Sequence, residues 1–189
     1  YGDIRFAGTE VPTFKSMDED GRVLYVGSFS KTLSAGLRVG FLYGADELIG
    51  KIGKVKSADG QDPLFNQKII TRCLKKMDYD AHLKKISAVY GRKCKLMLDA
   101  MKQYCPSECR IVEPEGGMFI WVEMPETVNI DALSDAAIQA GVGVVKSEAF
   151  AVDPSHPGHA FRLNFSASED TDIVKGIEIF GRVIQEQYK

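Results

Sequence analysis

The 189-residue sequence contains no apolar stretch long enough to cross a membrane and no signal-peptide pattern, so a water-soluble, cytoplasmic chain is expected. One-sided charge is missing too: 24 Lys and Arg against 26 Asp and Glu leave a net charge of −2. That balance argues against a nucleic-acid or membrane surface. Histidine and cysteine are scarce, at three and four residues, and there is one tryptophan. Cys105-Pro106-Ser107-Glu108-Cys109 has no second Cys or His pair at zinc spacing, so no metal is expected, and reduced thiols suit the cytosol. His156 and His159 fall in a Pro/Gly loop and read as solvated. No internal repeat or low-complexity segment appears.

What remains is ordinary globular composition, 44% hydrophobic and 26% charged, enough for one domain or one and a half. One stretch stands out from it: Gly27-Ser28-Phe29-Ser30-Lys31-Thr32-Leu33-Ser34-Ala35-Gly36-Leu37-Arg38-Val39-Gly40, between the apolar runs 23–26 and 41–43. A single lysine thus stands in a loop of small and hydroxyl residues, with an arginine seven positions on. Taken alone, such a lysine is an ordinary solvated surface group. Its flanks offer more. An amine can condense with a carbonyl, while Ser28, Ser30 and Arg38 can cover a phosphate dianion. The loop has what a phosphorylated aldehyde needs.

The pattern Ser-Phe-Ser-Lys-x-x-x-x-Gly-x-Arg-x-Gly resembles the cofactor-lysine signature of fold-type I pyridoxal-phosphate enzymes, the aspartate-aminotransferase superfamily. The Thr-Leu after the lysine resembles the subgroup of aminoadipate and kynurenine aminotransferases, shared with the effector domains of MocR-type regulators. The resemblance implies pyridoxal 5′-phosphate held by Lys31 as a Schiff base, with Ser28 and Arg38 on its phosphate and Ser30 second to them. It implies that Tyr1 hydrogen-bonds the cofactor's phenolic oxygen. Arg162-Leu163-Asn164-Phe165-Ser166 is similar to the segment whose arginine binds the substrate α-carboxylate, where a planar fork orients the Cα–H bond. Without the resemblance, Arg162 would read as an exposed or salt-bridged strand residue.

The implied fold class is α/β, the C-terminal part of the aspartate-aminotransferase fold. Residues 1–77 would end the large cofactor-binding domain and 78–189 would form an α+β small domain. Because the family's pyridinium aspartate would precede Tyr1, the chain is expected to be a portion of a longer protein, inactive alone. The full-length protein is expected to be a homodimer that transfers an amino group between an amino acid and a 2-oxo acid. Two rivals stay open: a MocR-type effector domain, with nucleic acid as partner only if a regulator domain lies upstream, and a lyase or decarboxylase.

Periodicity supplies the elements. Residues 1–22 read as loop; 23–26, suited to burial on both faces, and 38–43 read as strands. Helices are expected over 45–58, 63–77 with Pro63 near the first turn, and 79–104. After Pro106 come strands at 110–112 and 118–124, the latter within a Pro-x-Gly-Gly-Met-Phe-x-Trp pattern that also resembles the family. A helix at 131–140 stops at Gly141, strands follow at 142–145 and 160–166, and a terminal helix is capped by Ser168. Trp121 reads as core.

Overall fold

A computed structural model describes residues 2–60 and 62–187. The chain divides into two compact units, one of residues 1–4 and 8–86 and the other of residues 5–7 and 87–189.

The first unit is built on a hairpin of β1 (Tyr25–Ser28) and β2 (Gly40–Tyr43), antiparallel, with Ser28 opposite Gly40. The expectation of a strand buried on both faces fails here. The strand begins two residues later than the expected 23–26, and while Tyr25 and Gly27 are half-buried, Val26 is 69% and Tyr43 62% exposed, in a sheet of only two strands. Helices α1 (Asp46–Asp59) and α2 (Leu64–Lys76) follow. Pro63 stands at the N-cap of α2, next to its first turn as expected. The leading loop holds a short 3-10 turn, Phe14–Met17, capped by the Thr13 hydroxyl, which accepts from the Ser16 N–H. Just beyond it the Asp18 carboxylate accepts from the Arg22 and Val23 N–H groups and from Lys15 Nζ. These bonds lower its pKa from 3.8 to about 2, the Lys15 bond first.

The long helix α3 (Tyr79–Tyr104) has the expected bounds, and the division between the units falls within it. The second unit is an antiparallel sheet in the order β3-β4-β6-β5, where β3 is Arg110–Val112, β4 Phe119–Glu123, β5 Val145–Lys146 and β6 Ala160–Asn164. Strand alternation decides which side chains go where. Ile120 and Val122 on β4, with Phe161 and Leu163 on β6, enter the core, together with residues of α3, α4 (Ile130–Gln139) and α5 (Asp170–Gln187). Phe161 and Phe180 meet edge to face there, their centroids 5.8 Å apart. The alternate residues Phe119, Trp121, Arg162 and Asn164 take the other face.

Several local expectations are corrected. Helix α4 begins a residue earlier than expected because Asn129 caps it, accepting from the N–H groups of Asp131 and Ala132. Gly141, at φ 88°, ends it as expected. Strand 142–145 shrinks to two residues, and residues 147–150 wind into a 3-10 turn. Ser168 does not cap α5. The Ile173 N–H reaches the Glu169 carbonyl, so the helix starts at Asp170, and the Ser168 carbonyl accepts instead from Lys93 Nζ at 2.6 Å. Trp121 is half-buried outside the core cluster. His159 is not simply solvated, since its Nε2 lies 2.9 Å from the Val128 carbonyl.

Cys94, Cys105 and Cys109 are free thiols that burial pushes up to about 11, 12 and 11, so they are unreactive at neutral pH. Among the described residues no helix is long and apolar enough to cross a membrane.

Candidate functional site

The loop between β1 and β2 folds back on itself in three steps. The Phe29 N–H donates to the Val39 carbonyl, continuing the hairpin past Ser28 and Gly40. The N–H groups of Leu33 and Ser34 both donate to the Phe29 carbonyl, at 2.9 and 3.1 Å, which wraps residues 29–34 into one turn around Lys31. A 3-10 turn, Ala35–Leu37, then leads to Arg38. Two elements of the same unit hold this loop. Asn66 on α2 donates to the Leu37 carbonyl at 2.9 Å, and the His82 ring on α3 donates to the Thr32 carbonyl at 2.7 Å.

Within that frame the Ser30 N–H and the Ser28 hydroxyl stand 3.1 Å apart and the two hydroxyl oxygens 3.0 Å apart. Ser28 and Ser30 are thus brought together by a serine turn. Arg38 leaves the opposite arm of the hairpin. It is the one non-glycine residue at positive φ among those described, at φ 51° and ψ 42°. An L-residue there carries strain on the order of 1 kcal/mol, which a surface arginine without a task has no reason to hold. Its guanidinium donates to the Ala35 carbonyl and has no carboxylate partner among the described residues.

Lys31 is exposed and makes no hydrogen bond or ion pair with the described residues. The next residue, Thr32, is 5% exposed, and its hydroxyl oxygen has no partner among the described residues. Amine, paired hydroxyls and guanidinium therefore all keep donors to offer. This donor set fits a phosphorylated aldehyde, the amine for its carbonyl and the rest for its phosphate. Tyr1 lies outside the described residues.

In the other unit, Arg162 projects from β6 on the face away from the core, paired with Trp121 of β4 and Val145 of β5. Two rings crowd it: its Cζ lies 4.0 Å from the Phe119 centroid and 4.3 Å from that of Phe150. Its Nε is buried with no hydrogen-bond partner among the described residues. Alternation along β6 predicts this face from sequence. The Phe150 contact had no sequence signal, because a 3-10 turn carries it.

Residues 1–179 match the family model for aminotransferase class I and II, and the chain belongs to that family. It is 33% identical over its whole length to an aromatic-amino-acid aminotransferase of Thermococcus litoralis, of which it covers 45%. A kynurenine aminotransferase of Pyrococcus horikoshii, solved in complex with PMP, superposes over all of this chain and 46% of its own, with a TM-score of 0.92 at 31% identity. An uncharacterised HTH-type transcriptional regulator of Bacillus subtilis, YdfD, is 27% identical over 94% of this chain and 37% of its own length. The chain spans about half the length of the curated aminotransferases it matches.

Proposed function

We propose that this chain carries the cofactor lysine, the phosphate cradle and the carboxylate-binding arginine of a pyridoxal-phosphate-dependent aminotransferase. The whole protein would move an amino group between an amino acid and a 2-oxo acid. The observation that carries this reading is the Lys31 amine in a closed turn, with no partner among the described residues, in the same loop as a serine hydroxyl pair and an arginine that meets no carboxylate among those residues.

When bound, pyridoxal phosphate supplies the electron sink that makes an amino acid's Cα–H acidic. The chain's own residues do the rest. Lys31 Nζ anchors the cofactor at its aldehyde carbon, C4′. The same nitrogen, when not bonded to the cofactor, would serve as the base that moves the substrate's Cα proton. Ser28, Ser30 and Arg38 would hold the phosphate, the guanidinium offering it paired N–H donors. Arg162 takes the substrate α-carboxylate and so orients the Cα–H bond for cleavage. Tyr1 keeps the role of hydrogen-bonding the phenolic oxygen. In this reading residues 1–77 belong to the large domain and 78–189 to the small one, and the whole protein is a cytoplasmic homodimer.

Borohydride reduction in the presence of excess pyridoxal phosphate, followed by peptide mapping, tests it. The reduced cofactor is expected on Lys31, and Lys31→Ala is expected to take up none. Label spread over other lysines, or undiminished in the variant, rejects the assignment.

A second reading is favoured by the relationship to YdfD: a ligand-sensing domain that holds the cofactor without turnover. It predicts the same label on Lys31, but no amino transfer to a 2-oxo acid by the full-length protein. The aminotransferase reading ranks first because those relatives match at higher identity and over more of their own length.

A further inference from the structure

We infer that Phe119 and Phe150 are positioning residues for Arg162, holding its guanidinium in one orientation for an incoming carboxylate. The inference rests on the carboxylate-binding reading of Arg162 given above.

Strand geometry puts Phe119 and Trp121, two apart on β4, on the same face as Arg162. Trp121 is directly opposite the arginine and Phe119 diagonal to it, a separation aromatic side chains can bridge. The 3-10 turn Ser147–Phe150 brings in the second ring, and Trp121 braces it edge to face with centroids 5.9 Å apart. Arg162 makes no ion pair and no hydrogen bond among the described residues, so the two rings are its main restraint.

That arrangement has a chemical consequence. A long arginine side chain normally samples many rotamers, and ordering it opposes binding. Ring faces attract the cation and displace water from it, yet they do not replace a carboxylate as acceptor for its N–H donors. The guanidinium is therefore held and partly desolvated while its hydrogen-bonding capacity stays unspent among the described residues. An anion arriving at those donors meets a fork that is already oriented.

The test is NMR on the 189-residue chain labelled with 15N-arginine. The Arg162 Nε–Hε signal is assigned by its loss in Arg162→Lys. In the wild type it should be displaced upfield by the rings and exchange slowly with water. Phe119→Leu and Phe150→Leu should each return it towards the free-arginine position and speed its exchange severalfold. Phe150→Tyr should leave it in place. Phe150 is 40% exposed, so its truncation leaves the core untouched. Titration with succinate should show binding about threefold to fivefold weaker in each leucine variant, and unchanged in Phe150→Tyr. An Arg162 signal unmoved in both leucine variants, or equal succinate affinity in them, overturns the positioning role. Succinate leaving the wild-type signal unmoved rejects the carboxylate reading and the role that rests on it; an intact upfield displacement identifies that outcome.

Discussion

His82 Nε2 lies 2.7 Å from the carbonyl oxygen of Thr32, the residue that follows Lys31. A carbonyl can only accept, so this ring nitrogen carries the proton. The contact spans 50 positions of sequence and ties the turn around the lysine to the start of α3. His82→Ala removes the donor and leaves the carbonyl without it. A loss of about 1 kcal/mol is expected, the usual net value of such a bond. The local effect should exceed the global one, with faster amide hydrogen exchange across residues 29–34. Exchange unchanged in that segment would show that the turn holds without the histidine.

Arg38 puts function and stability in opposition. Glycine adopts φ 51° without a Cβ penalty, so Arg38→Gly is expected to raise stability by up to about 1 kcal/mol. The same change removes the guanidinium proposed to hold phosphate. Calorimetry with and without pyridoxal phosphate checks both halves: a higher melting temperature alone, and a smaller rise when the cofactor is added. A variant that binds the cofactor as well as the wild type removes Arg38 from the cradle.

Two glycines of α5 should respond oppositely to alanine. A Cβ on Gly181 would come within 2.3 Å of the Tyr104 carbonyl oxygen, backbone that cannot step aside. Gly181→Ala is expected to destabilise by about 1–3 kcal/mol, as overpacking does. At Gly176 a Cβ meets nothing within 4 Å, so Gly176→Ala gains helix propensity of about 0.5–1 kcal/mol. Urea unfolding midpoints should move in opposite directions. A shared sign would mean that the close approach of α5 to the end of α3 is not what governs Gly181.

Acid should loosen the leading loop through Asp18. Its folded pKa of about 2 lies below the ordinary 3.8, so its contribution is complete above about pH 4 and fades as pH falls towards 2. The Lys15 ammonium and the two backbone N–H donors are the cause. Asp18→Asn should flatten the stability profile in that window. Carboxyl 13C titration gives the direct check, and a midpoint near 3.8 would refute it.

Much of the architecture was legible because it rests on local patterns. The helical stripe of 79–104 matches α3 residue for residue, and the 110–112 strand matches β3. Alternation along 160–164 correctly sent Phe161 and Leu163 one way and Arg162 the other. Caps were harder to read. Ser168 has the right chemistry for an N-cap, but Lys93 takes its carbonyl and the helix starts at Asp170. Of the apolar run 23–26, read as a doubly buried strand, only Tyr25 and Val26 join the two-stranded hairpin and Val26 is exposed, since burial depends on partners that the run itself does not encode.

By itself the sequence determined the make-up of the lysine loop, with a lysine, two serines and an arginine within eleven residues and a local serine turn that pairs Ser28 with Ser30. It likewise determined which face of its strand Arg162 takes, since side chains alternate along any strand. Only the tertiary structure decided what holds those groups. His82 reaches Thr32 across 50 positions, and Phe150 reaches Arg162 from a 3-10 turn that lacks any periodic signature. The physical reason is range: alternation and turn chemistry act between near neighbours, whereas a hydrogen bond or a ring contact forms wherever packing brings two groups together.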